Sequence, residues 1–333
     1  MIDKILDKVN QSKELNKQEI LQLFKITDED DFKKLLSTAS YIRDSISEDI
    51  KLTSTIHLTN ICKVSPKCKY CGFASNTSKE GYYSGFYKKH DEILKIAECI
   101  DKTEIPRISC SGAHGYNGRQ AIEAAKIVKG KTSLELLVNV GTDLTPSAIK
   151  ELSKYNTDTI CCNLETINEE LFNELKPGEQ LRDRIKVCEM VCEEGIELSS
   201  GLLIGIGESY EDRVNHLLFL KRFKTLGEIP VMGFNPYKGT PMEHHPKCSI
   251  EEQMKTIAIT RIIYPKIRIT VPTPTIGPKN AKYSLLAGAN NLATVVPQNY
   301  PLNIKGVGSP SYGNLEDVLN IVDDLGLKVS SKY

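Results

Sequence analysis

Three closely spaced cysteines are the residues of this chain best suited to metal chemistry. Cys62, Cys68 and Cys71 lie in the segment CKVSPKCKYC with the spacing Cys-x5-Cys-x2-Cys. The segment follows the strand-like run TSTIHLTN and precedes the loop GFASNTS. Three thiolates are one ligand short of a tetrahedral zinc site or of a fully ligated four-iron cluster. One metal position would therefore stay open, which favours catalysis over a purely structural role.

A structural zinc site is the simplest alternative. His57, on the run before the cysteines, could supply a fourth ligand. The metal would then only staple a loop, and the protein would be a scaffold without enzymatic activity. His57 could equally be a hydrogen-bonded core residue. The cysteines follow a predicted strand directly, and this position favours the catalytic interpretation.

Composition excludes several classes of function. The chain has 333 residues, 26% charged and 40% hydrophobic, enough for a large α/β core. Lys+Arg and Asp+Glu both number 43, so the chain lacks the excess of positive charge that would indicate a nucleic acid or an anionic membrane as partner. Apolar runs are too short to span a bilayer and the first residues lack a signal-peptide pattern, so we expect a cytoplasmic protein. The chain has ten cysteines, and we expect most of those outside the loop to be buried as small apolar residues.

Alternating apolar runs and amphipathic stretches predict the elements that position the cysteines. Residues 1–50 are predicted to form a helical extension, and residues 51–333 a barrel domain. Predicted strands cover residues 54–59, 107–112, 134–140, 157–164, 196–205, 229–234, 266–271 and 291–296. Strands that alternate with helices in this number predict an α/β fold, a (βα)8 TIM-type barrel. The active site of such a barrel lies at the C-terminal ends of the strands, where the cysteine loop begins.

The cysteine loop, with Tyr70 before its last cysteine, resembles that of the radical S-adenosylmethionine (SAM) superfamily. The resemblance implies a [4Fe-4S] cluster held by Cys62, Cys68 and Cys71, with SAM on the open iron. In that superfamily the reduced cluster cleaves SAM to methionine and a 5′-deoxyadenosyl radical, which abstracts hydrogen from the substrate. The usual spacing there is Cys-x3-Cys-x2-Cys. The longer loop of this chain costs well under ~1 kcal/mol in entropy.

Further along, the chain is similar to biotin synthase and its relatives. The matching segments are NLETINEELFNELKP and LRDRIKVCEMVCEEGIELSSGLLIGIGESYEDR. Two later segments, IPVMGFNPYKGTPM and MKTIAITRIIYPKIRITVPTPTIGPKNAKYSLLAGANNL, resemble the C-terminal half shared by biotin and thiamine synthase-associated barrels.

These matches imply positions that bind SAM. Asn163 and Glu165 correspond to the pair that holds the ribose hydroxyls, and Arg184 to an arginine that pairs with the SAM carboxylate. Arg182 could exchange roles with Arg184. The remaining implied contacts are Tyr70, Ser111, Gly112, Ala113, Gly205 and Ile206. The Ser-Gly-Ala segment stands where the family often has Gly-Gly-Glu, and implies backbone contacts to the SAM amino group.

Biotin synthase itself carries a second, two-iron cluster held by three cysteines and an arginine. The corresponding positions of this chain are Cys110, Leu137 and Ser199, with Arg268 available as the arginine. One cysteine in place of three cannot hold that cluster, so sulfur insertion is disfavoured.

Among single-cluster relatives, the Cys-x5-Cys-x2-Cys spacing resembles the HmdB (HcgA) family. That family is associated with building the iron-guanylylpyridinol cofactor of [Fe]-hydrogenase in methanogens. A HydE-like maturase, acting on a small thiol- or amino-acid-derived ligand, is the alternative. The expected partners are a small-molecule substrate and an electron donor of ferredoxin or flavodoxin type, with no nucleic acid and no membrane. The predicted substrate contacts, all expected near strand C-termini, are His114, Asn139, Asn235, Tyr237, Arg268 and Thr270.

Overall fold

A closed barrel of parallel strands forms the centre of the computed structural model, which describes residues 2–73, 85–300 and 312–331. The described strands are β1 (Asp49–His57), β2 (Arg107–Ser111), β3 (Glu135–Asn139), β4 (Thr159–Cys161), β5 (Glu197–Ser199), β6 (Leu202–Ile204), β7 (Leu226–Gly233), β8 (Arg268–Pro272), β9 (Asn291–Ala293), β10 (Val295–Val296), β11 (Gly313–Asn314) and β12 (Lys328–Val329). The barrel consists of β1 to β9, whereas β10 and β11 form a separate two-stranded sheet and β12 pairs with the start of β1. β1 pairs in parallel with both β2 and β9, which closes the barrel. The predicted (βα)8 TIM-type fold is confirmed.

The fifth position of the barrel holds two short strands instead of one. β5 and β6 both pair with β7, and Ser200 and Gly201 separate them. A Cβ atom added at Gly201 would overlap the carbonyl oxygen of Pro230, so the backbones can approach only because this residue has no side chain. The predicted strand 196–205 is therefore interrupted, and the predicted strand 291–296 is likewise divided into β9 and β10.

Helices cover the outside of the barrel. They are α1 (Ile2–Asn10), α2 (Lys17–Phe24), α3 (Glu29–Ile46), α4 (His90–Asp101), α5 (Arg119–Lys131), α6 (Pro146–Lys154), α7 (Glu169–Leu175), α8 (Leu181–Glu193), α9 (Tyr210–Leu220), α10 (Ile250–Ile263), α11 (Thr273–Ile276), α12 (Ala281–Leu286) and α13 (Leu315–Asp324). The predicted helix starts at Thr145 and Ser249 are N-caps whose side chains accept backbone N–H bonds. Among the residues that the structure describes, no helix is both long and apolar enough to cross a membrane.

The N-terminal helices pack directly onto the barrel's helical layer. α3 lies against α10 and α12. The guanidinium of Arg43 donates to the backbone carbonyls of Leu285 and Ala289 and ties α3 to the end of α12. The division of the chain at residue 50 stays a prediction.

Ion pairs close the N-terminal end of the barrel. Side chains alternate along each strand, so that every second residue faces the barrel interior. At the strand starts these interior residues pair as Lys51 with Glu135 at 2.7 Å, Arg268 with Glu197 at 3.0 Å and Arg107 with Glu228 at 2.7 Å. These three pairs occupy the interior at the strand starts, and we call this layer the floor of the barrel and the C-terminal ends of the strands its mouth.

Candidate active site

A cavity of about 240 Å³ lies at the C-terminal ends of β1 to β4, and all three cysteines of the loop line it. We call it the cysteine cavity. Its lining residues are Cys62, Lys67, Cys68, Tyr70, Cys71, Phe73, Ser111, Gly112, Ala113, His114, Asn139, Val140, Gly141, Asn163, Glu165, Lys176, Glu179 and Arg184. Turns that follow four neighbouring strands thus converge on the cysteine loop, as expected for the catalytic end of a parallel barrel.

Backbone hydrogen bonds fix the cysteine loop to its neighbours. The N–H of Lys63 donates to the carbonyl of His114 at 2.8 Å, and the N–H of Lys69 donates to the carbonyl of Leu175 at 2.8 Å. A Cβ atom at Gly178 would overlap the carbonyl oxygen of Pro66, so the segment after α7 lies tightly against the loop. The thiols are therefore held on a braced backbone.

The three thiols are free and differ in exposure. Cys68 is buried, whereas Cys62 and Cys71 are half-buried. Burial raises the pKa of the Cys71 thiol to about 11, with a further contribution from the neighbouring Cys68. Burial also raises the pKa of Cys68, although the nearby Lys176 opposes the effect. Binding of a metal would displace the protons of these thiols.

Glu179 is the centre of the cavity's charge network. Its carboxylate accepts from Arg184 at 2.7 and 2.8 Å, and lies 3.4 Å from both Lys176 Nζ and His114 Nδ1. Burial alone would raise the pKa of Glu179, but the hydrogen bond with His114 and the charges of Arg184 and Lys176 hold it well below its usual range. The carboxylate is thus ionised and orients two buried cations toward the cavity.

Asn163 and Glu165 lie just after β4 and connect it to the interrupted fifth position. The Oδ1 of Asn163 accepts from the N–H of Gly201 at 3.0 Å, and its backbone carbonyl accepts from Arg184 at 2.5 Å. Glu165 has a φ of 67° and donates its N–H to the carbonyl of Gly201 at 3.2 Å. A positive φ is costly for a residue with a side chain, so these contacts hold the Glu165 carboxylate at the cavity against a backbone preference.

Asp143 positions the turn after β2. Its Oδ1 accepts the N–H bonds of Gly115, Tyr116 and Asn117 at 2.7 to 3.0 Å, and its Oδ2 accepts that of Gly118 at 3.0 Å. One buried carboxylate thereby satisfies four successive backbone donors. The turn carrying Ser111, Gly112 and Ala113 into the cysteine cavity is rigid as a result.

Comparisons with known proteins agree with this geometry. Residues 56–220 match the model of the Radical SAM superfamily, and residues 230–300 match the Biotin and Thiamin Synthesis associated domain. An uncharacterized protein of Methanocaldococcus jannaschii (MJ0785) is 61% identical over 94% of this chain and 84% of its own length. The chain belongs to the radical SAM superfamily. Biotin synthase of Clostridioides difficile is 28% identical over 80% of this chain and 83% of that protein. The crystal structure of methylornithine synthase (PylB) superposes with a TM-score of 0.88 at 19% identity, over 98% of this chain and 97% of that one, and shows the shared fold.

This radical SAM protein is an enzyme whose cofactors are a [4Fe-4S] cluster and SAM, and the donor set of the cysteine cavity fits both. Three free thiols face one cavity, as a cluster with one open iron requires. Among the described residues no three Cys, His, Asp or Glu side chains converge on a single metal ion. A four-iron cluster does not need such convergence, because each thiolate binds a different iron.

The predicted SAM contacts fall into two groups. Tyr70, Asn163, Glu165, Arg184 and the segment 111–113 all line the cysteine cavity. Gly205 and Ile206 line neither this cavity nor the two described below, and their N–H groups donate to the Glu208 carboxylate at 2.8 Å. Their predicted contact with SAM stays a prediction.

A second cavity of about 240 Å³ fills the barrel interior below the first. We call it the barrel cavity. The two share Ser111, Asn139 and Asn163. Nine of the twenty described residues that line it carry a hydroxyl group, among them Thr53, Thr55, Ser109, Ser199, Thr270, Thr275 and Thr294. A small polar molecule bound there would lie directly below the cysteine cavity.

Charge in the barrel cavity is balanced within the protein. Among the described residues that line it, Glu228 is the only Asp, Glu, Lys or Arg. Burial would raise the pKa of Glu228, but Arg107, Arg268 and Thr270 outweigh it and keep the carboxylate ionised and paired. Burial, with a smaller contribution from Lys88, lowers the pKa of His57 to about 4, so this imidazole is neutral.

The predicted substrate contacts are placed at several depths. Thr270 lines the barrel cavity and donates to Glu228, and Asn139 lies between the two cavities. Tyr237 lines the barrel cavity and, with Asn235, a third cavity of about 230 Å³ that also touches Tyr70 and Glu165. His114 lies in the cysteine cavity.

Two placements expected from the sequence are wrong. Arg268 is the first residue of β8 and binds Glu197 at the closed end of the barrel, so it does not face the mouth. Cys110 is fully buried in the apolar core, while its neighbours Ser109 and Ser111 line the barrel cavity. Side chains alternate along a strand, so Cys110 faces the helices and cannot be the interior counterpart of a cluster ligand. The interior cysteine is Cys161, on β4, and Leu137 and Ser199 do line the barrel cavity.

Lys176, Glu179 and Asp143 were not predicted as site residues. Lys176 and Glu179 flank the Pro-Gly pair of ELKPGEQ, a turn signal directly after a helix. The charged residues on both sides of this turn were the only sequence feature that could have marked it as part of the site. The neighbouring sequence does not show that the turn contacts Cys68.

Proposed function

We propose that this radical SAM enzyme acts on a small-molecule precursor in the biosynthesis of the iron-guanylylpyridinol cofactor of [Fe]-hydrogenase. The observation that carries the proposal is the Cys-x5-Cys-x2-Cys loop, which has the spacing of the HmdB family. The loop lines a cavity that shares three lining residues with the barrel cavity, where hydroxyl groups are common. Cys62, Cys68 and Cys71 are its proposed cluster ligands. The cytoplasm as location and a ferredoxin- or flavodoxin-type electron donor are part of the same proposal.

Most of the proposed SAM contacts line the cysteine cavity. When bound, the cluster and SAM supply reductive cleavage of a carbon–sulfur bond followed by abstraction of a hydrogen atom from substrate. Arg184, oriented by Glu179, is the proposed partner of the SAM carboxylate. Asn163 and Glu165 would hold the ribose hydroxyls, and the rigid 111–113 turn would meet the amino group. Tyr70, Gly205 and Ile206 complete the proposed contacts.

The barrel cavity favours a neutral, polar substrate. A carboxylate or ammonium buried there would need a countercharge, because an unpaired charge is costly away from water. The described lining offers Glu228, which is already paired with Arg107. Hydroxyl and amide groups such as Thr270, Asn139 and Tyr237 instead suit hydroxyl, carbonyl or ring-nitrogen groups. A pyridinol ring carries a hydroxyl group and a ring nitrogen. Of the small thiol- or amino-acid-derived ligands in the HydE-like alternative, the amino-acid-derived ones carry charges that this cavity would not compensate.

Sulfur insertion of the biotin synthase type is opposed by the barrel interior. Cys161 is the one cysteine among the described residues that line the barrel cavity. A sacrificial two-iron cluster held by three cysteines has no counterpart in this lining. The similarity to biotin synthase therefore supports the shared radical chemistry and not the shared product.

Anaerobic reconstitution tests the chemistry and the pathway separately. Wild-type protein should bind about four irons and four sulfides per chain and cleave SAM under reducing conditions, and Cys68→Ala should not cleave it. Cys99→Ala is the matched control, since this half-buried thiol lies on α4 and contacts Asn299. Reductive cleavage by Cys68→Ala would refute the ligand assignment.

The pathway is tested with isotope-labelled precursors in a cell-free mixture that assembles the pyridinol cofactor. Addition of the wild-type enzyme should place label in the pyridinol ring, and Cys68→Ala should not. If SAM is cleaved but label enters only a ligand of the [FeFe]-hydrogenase cluster, the HydE-like alternative replaces the proposal.

A further inference from the structure

Lys176 is a buried cation beside one of the proposed cluster ligands. Its ammonium lies 3.5 Å from the Sγ of Cys68 and 3.4 Å from the hydroxyl of Tyr70. The Lys176 side chain is 6% exposed, and Cys68 is buried as well. An ammonium has three N–H donors and no acceptor, so it can donate to a thiolate sulfur and keep its other contacts.

Backbone hydrogen bonds place Lys176 next to the cysteine loop. Lys176 follows α7 directly, and its N–H donates to the carbonyl of Phe172 at 2.8 Å. The preceding carbonyl, of Leu175, accepts from the N–H of Lys69 in the cysteine loop. Glu179 Oε1 lies 3.4 Å from the Lys176 ammonium and 3.9 Å from the Sγ of Cys68, so the three groups form one cluster. The lysine is therefore tied to the loop that it contacts, and its charge is weakly screened in these buried surroundings.

We propose that Lys176 is a positioning residue that acts through Cys68, donating a hydrogen bond to its sulfur and making the cluster easier to reduce. The inference rests on the proposed assignment of Cys68 as a cluster ligand. Reduction adds a negative charge to a cluster, and a hydrogen bond or a nearby cation at a ligating sulfur stabilises the reduced form. Removal of the ammonium should therefore move the midpoint potential to more negative values.

A redox titration followed by electron paramagnetic resonance tests this. Lys176→Met leaves an unbranched side chain one atom shorter and removes the charge and the donor. At the wild-type midpoint potential we expect the reduced-to-oxidised ratio of Lys176→Met to be at least tenfold lower, which equals ~59 mV for a one-electron couple. Lys176→Arg should have a midpoint potential close to that of the wild type, because arginine keeps a charged donor.

Lys67 provides the matched control. It also lines the cysteine cavity, but its ammonium contacts the backbone carbonyl of Cys62 and not a sulfur. Lys67→Met removes the same charge from the same cavity and should shift the potential by less than Lys176→Met. An equal shift of the midpoint potential in the two variants would mean that loss of one positive charge from the cavity explains the effect. It would overturn the role of the hydrogen bond to Cys68.

Glu179 must be separated from this effect because Lys176 also compensates its charge. Glu179→Gln removes that carboxylate. The midpoint potential of the double variant Lys176→Met/Glu179→Gln is then compared with that of Glu179→Gln alone. The shift should persist there, since the contact with Cys68 is still lost. Its disappearance would mean that Lys176 acts only by neutralising Glu179.

Iron and sulfide analysis of each variant distinguishes the possible failures. A wild-type protein that assembles no four-iron cluster overturns the cluster assignment. An assembled cluster with an unchanged midpoint in Lys176→Met overturns only the role of Lys176. If Lys176→Met assembles no cluster, Lys176→Leu takes its place, because leucine also lacks a charge and a donor. A wild-type midpoint potential in that variant is equally contradictory.

Discussion

Replacement of Arg184 by alanine should affect both stability and SAM binding. The Arg184 side chain is 5% exposed, its Nη2 lies 2.7 Å from Glu179 and its Nη1 2.5 Å from the carbonyl of Asn163. Arg182 is two residues away on the same helix but is exposed to solvent. The structure therefore assigns distinct surroundings to two arginines that the sequence could not separate.

The expected loss of stability follows from the burial of this ion pair. Removal of one partner of a buried pair typically costs about 3–5 kcal/mol, because the other charge is left without compensation. Lys176 and His114 remain close to Glu179, so we expect the lower part of this range, about 3 kcal/mol. Arg182→Ala should change the free energy of unfolding by no more than ~0.5 kcal/mol.

The expected loss of SAM affinity follows from the charge of the contact. A hydrogen bond between charged groups contributes about 1.5–3 kcal/mol. This range corresponds to roughly a 10- to 150-fold rise in the Kd for SAM. Iron content should not change, because Arg184 contacts none of the three cysteines through a hydrogen bond in the described network.

Urea unfolding followed by circular dichroism and equilibrium dialysis with SAM, both under anaerobic conditions, measure the two effects. If Arg184→Ala and Arg182→Ala unfold at the same urea concentration, the ion-pair reasoning is refuted. If Arg184→Ala is destabilised but binds SAM as tightly as wild type, Arg184 only supports Glu179, and its assignment to the SAM carboxylate is wrong.

Two further predictions concern the scaffold. Gly201→Ala should destabilise the barrel by about 3 kcal/mol, because the added methyl group overlaps the carbonyl of Pro230. The control is Gly130→Ala, on α5 with open space around it, which should be neutral or stabilising. Equal unfolding midpoints of the two variants would contradict the close approach of the backbones at Gly201. His216→Met should make stability less sensitive to acid. Burial lowers the pKa of His216 to about 3, so between pH 6.5 and 3 the unfolded chain binds a proton that the folded chain does not, and stability falls as the pH decreases. Urea midpoints at pH 7, 6 and 5 should fall less steeply in the variant, and parallel curves would refute the assignment.

Local patterns were sufficient to predict the barrel and most of its strands. All eight predicted strand segments overlap a strand, because β-strands and amphipathic helices differ in the spacing of their apolar residues. Their interruption at Gly201 was not predictable, since it depends on how closely β7 approaches. The position of each interior side chain along the barrel axis could not be predicted from the sequence either. Arg268 and Thr270 face the same interior, yet one lies in the floor and the other lines the barrel cavity.

The amino-acid sequence by itself determined the class of fold, the three thiols with one ligand missing, and the segments similar to biotin synthase. Each of these is encoded in residues that are close together in the chain. Only the tertiary structure decided which charged side chains meet the thiols: Lys176 reaches Cys68 across 108 positions of sequence, and Glu179 organises Arg184, Lys176 and His114 at one point. Closure of the barrel brings the ends of separate strands together, and that contact has no local signature in the chain.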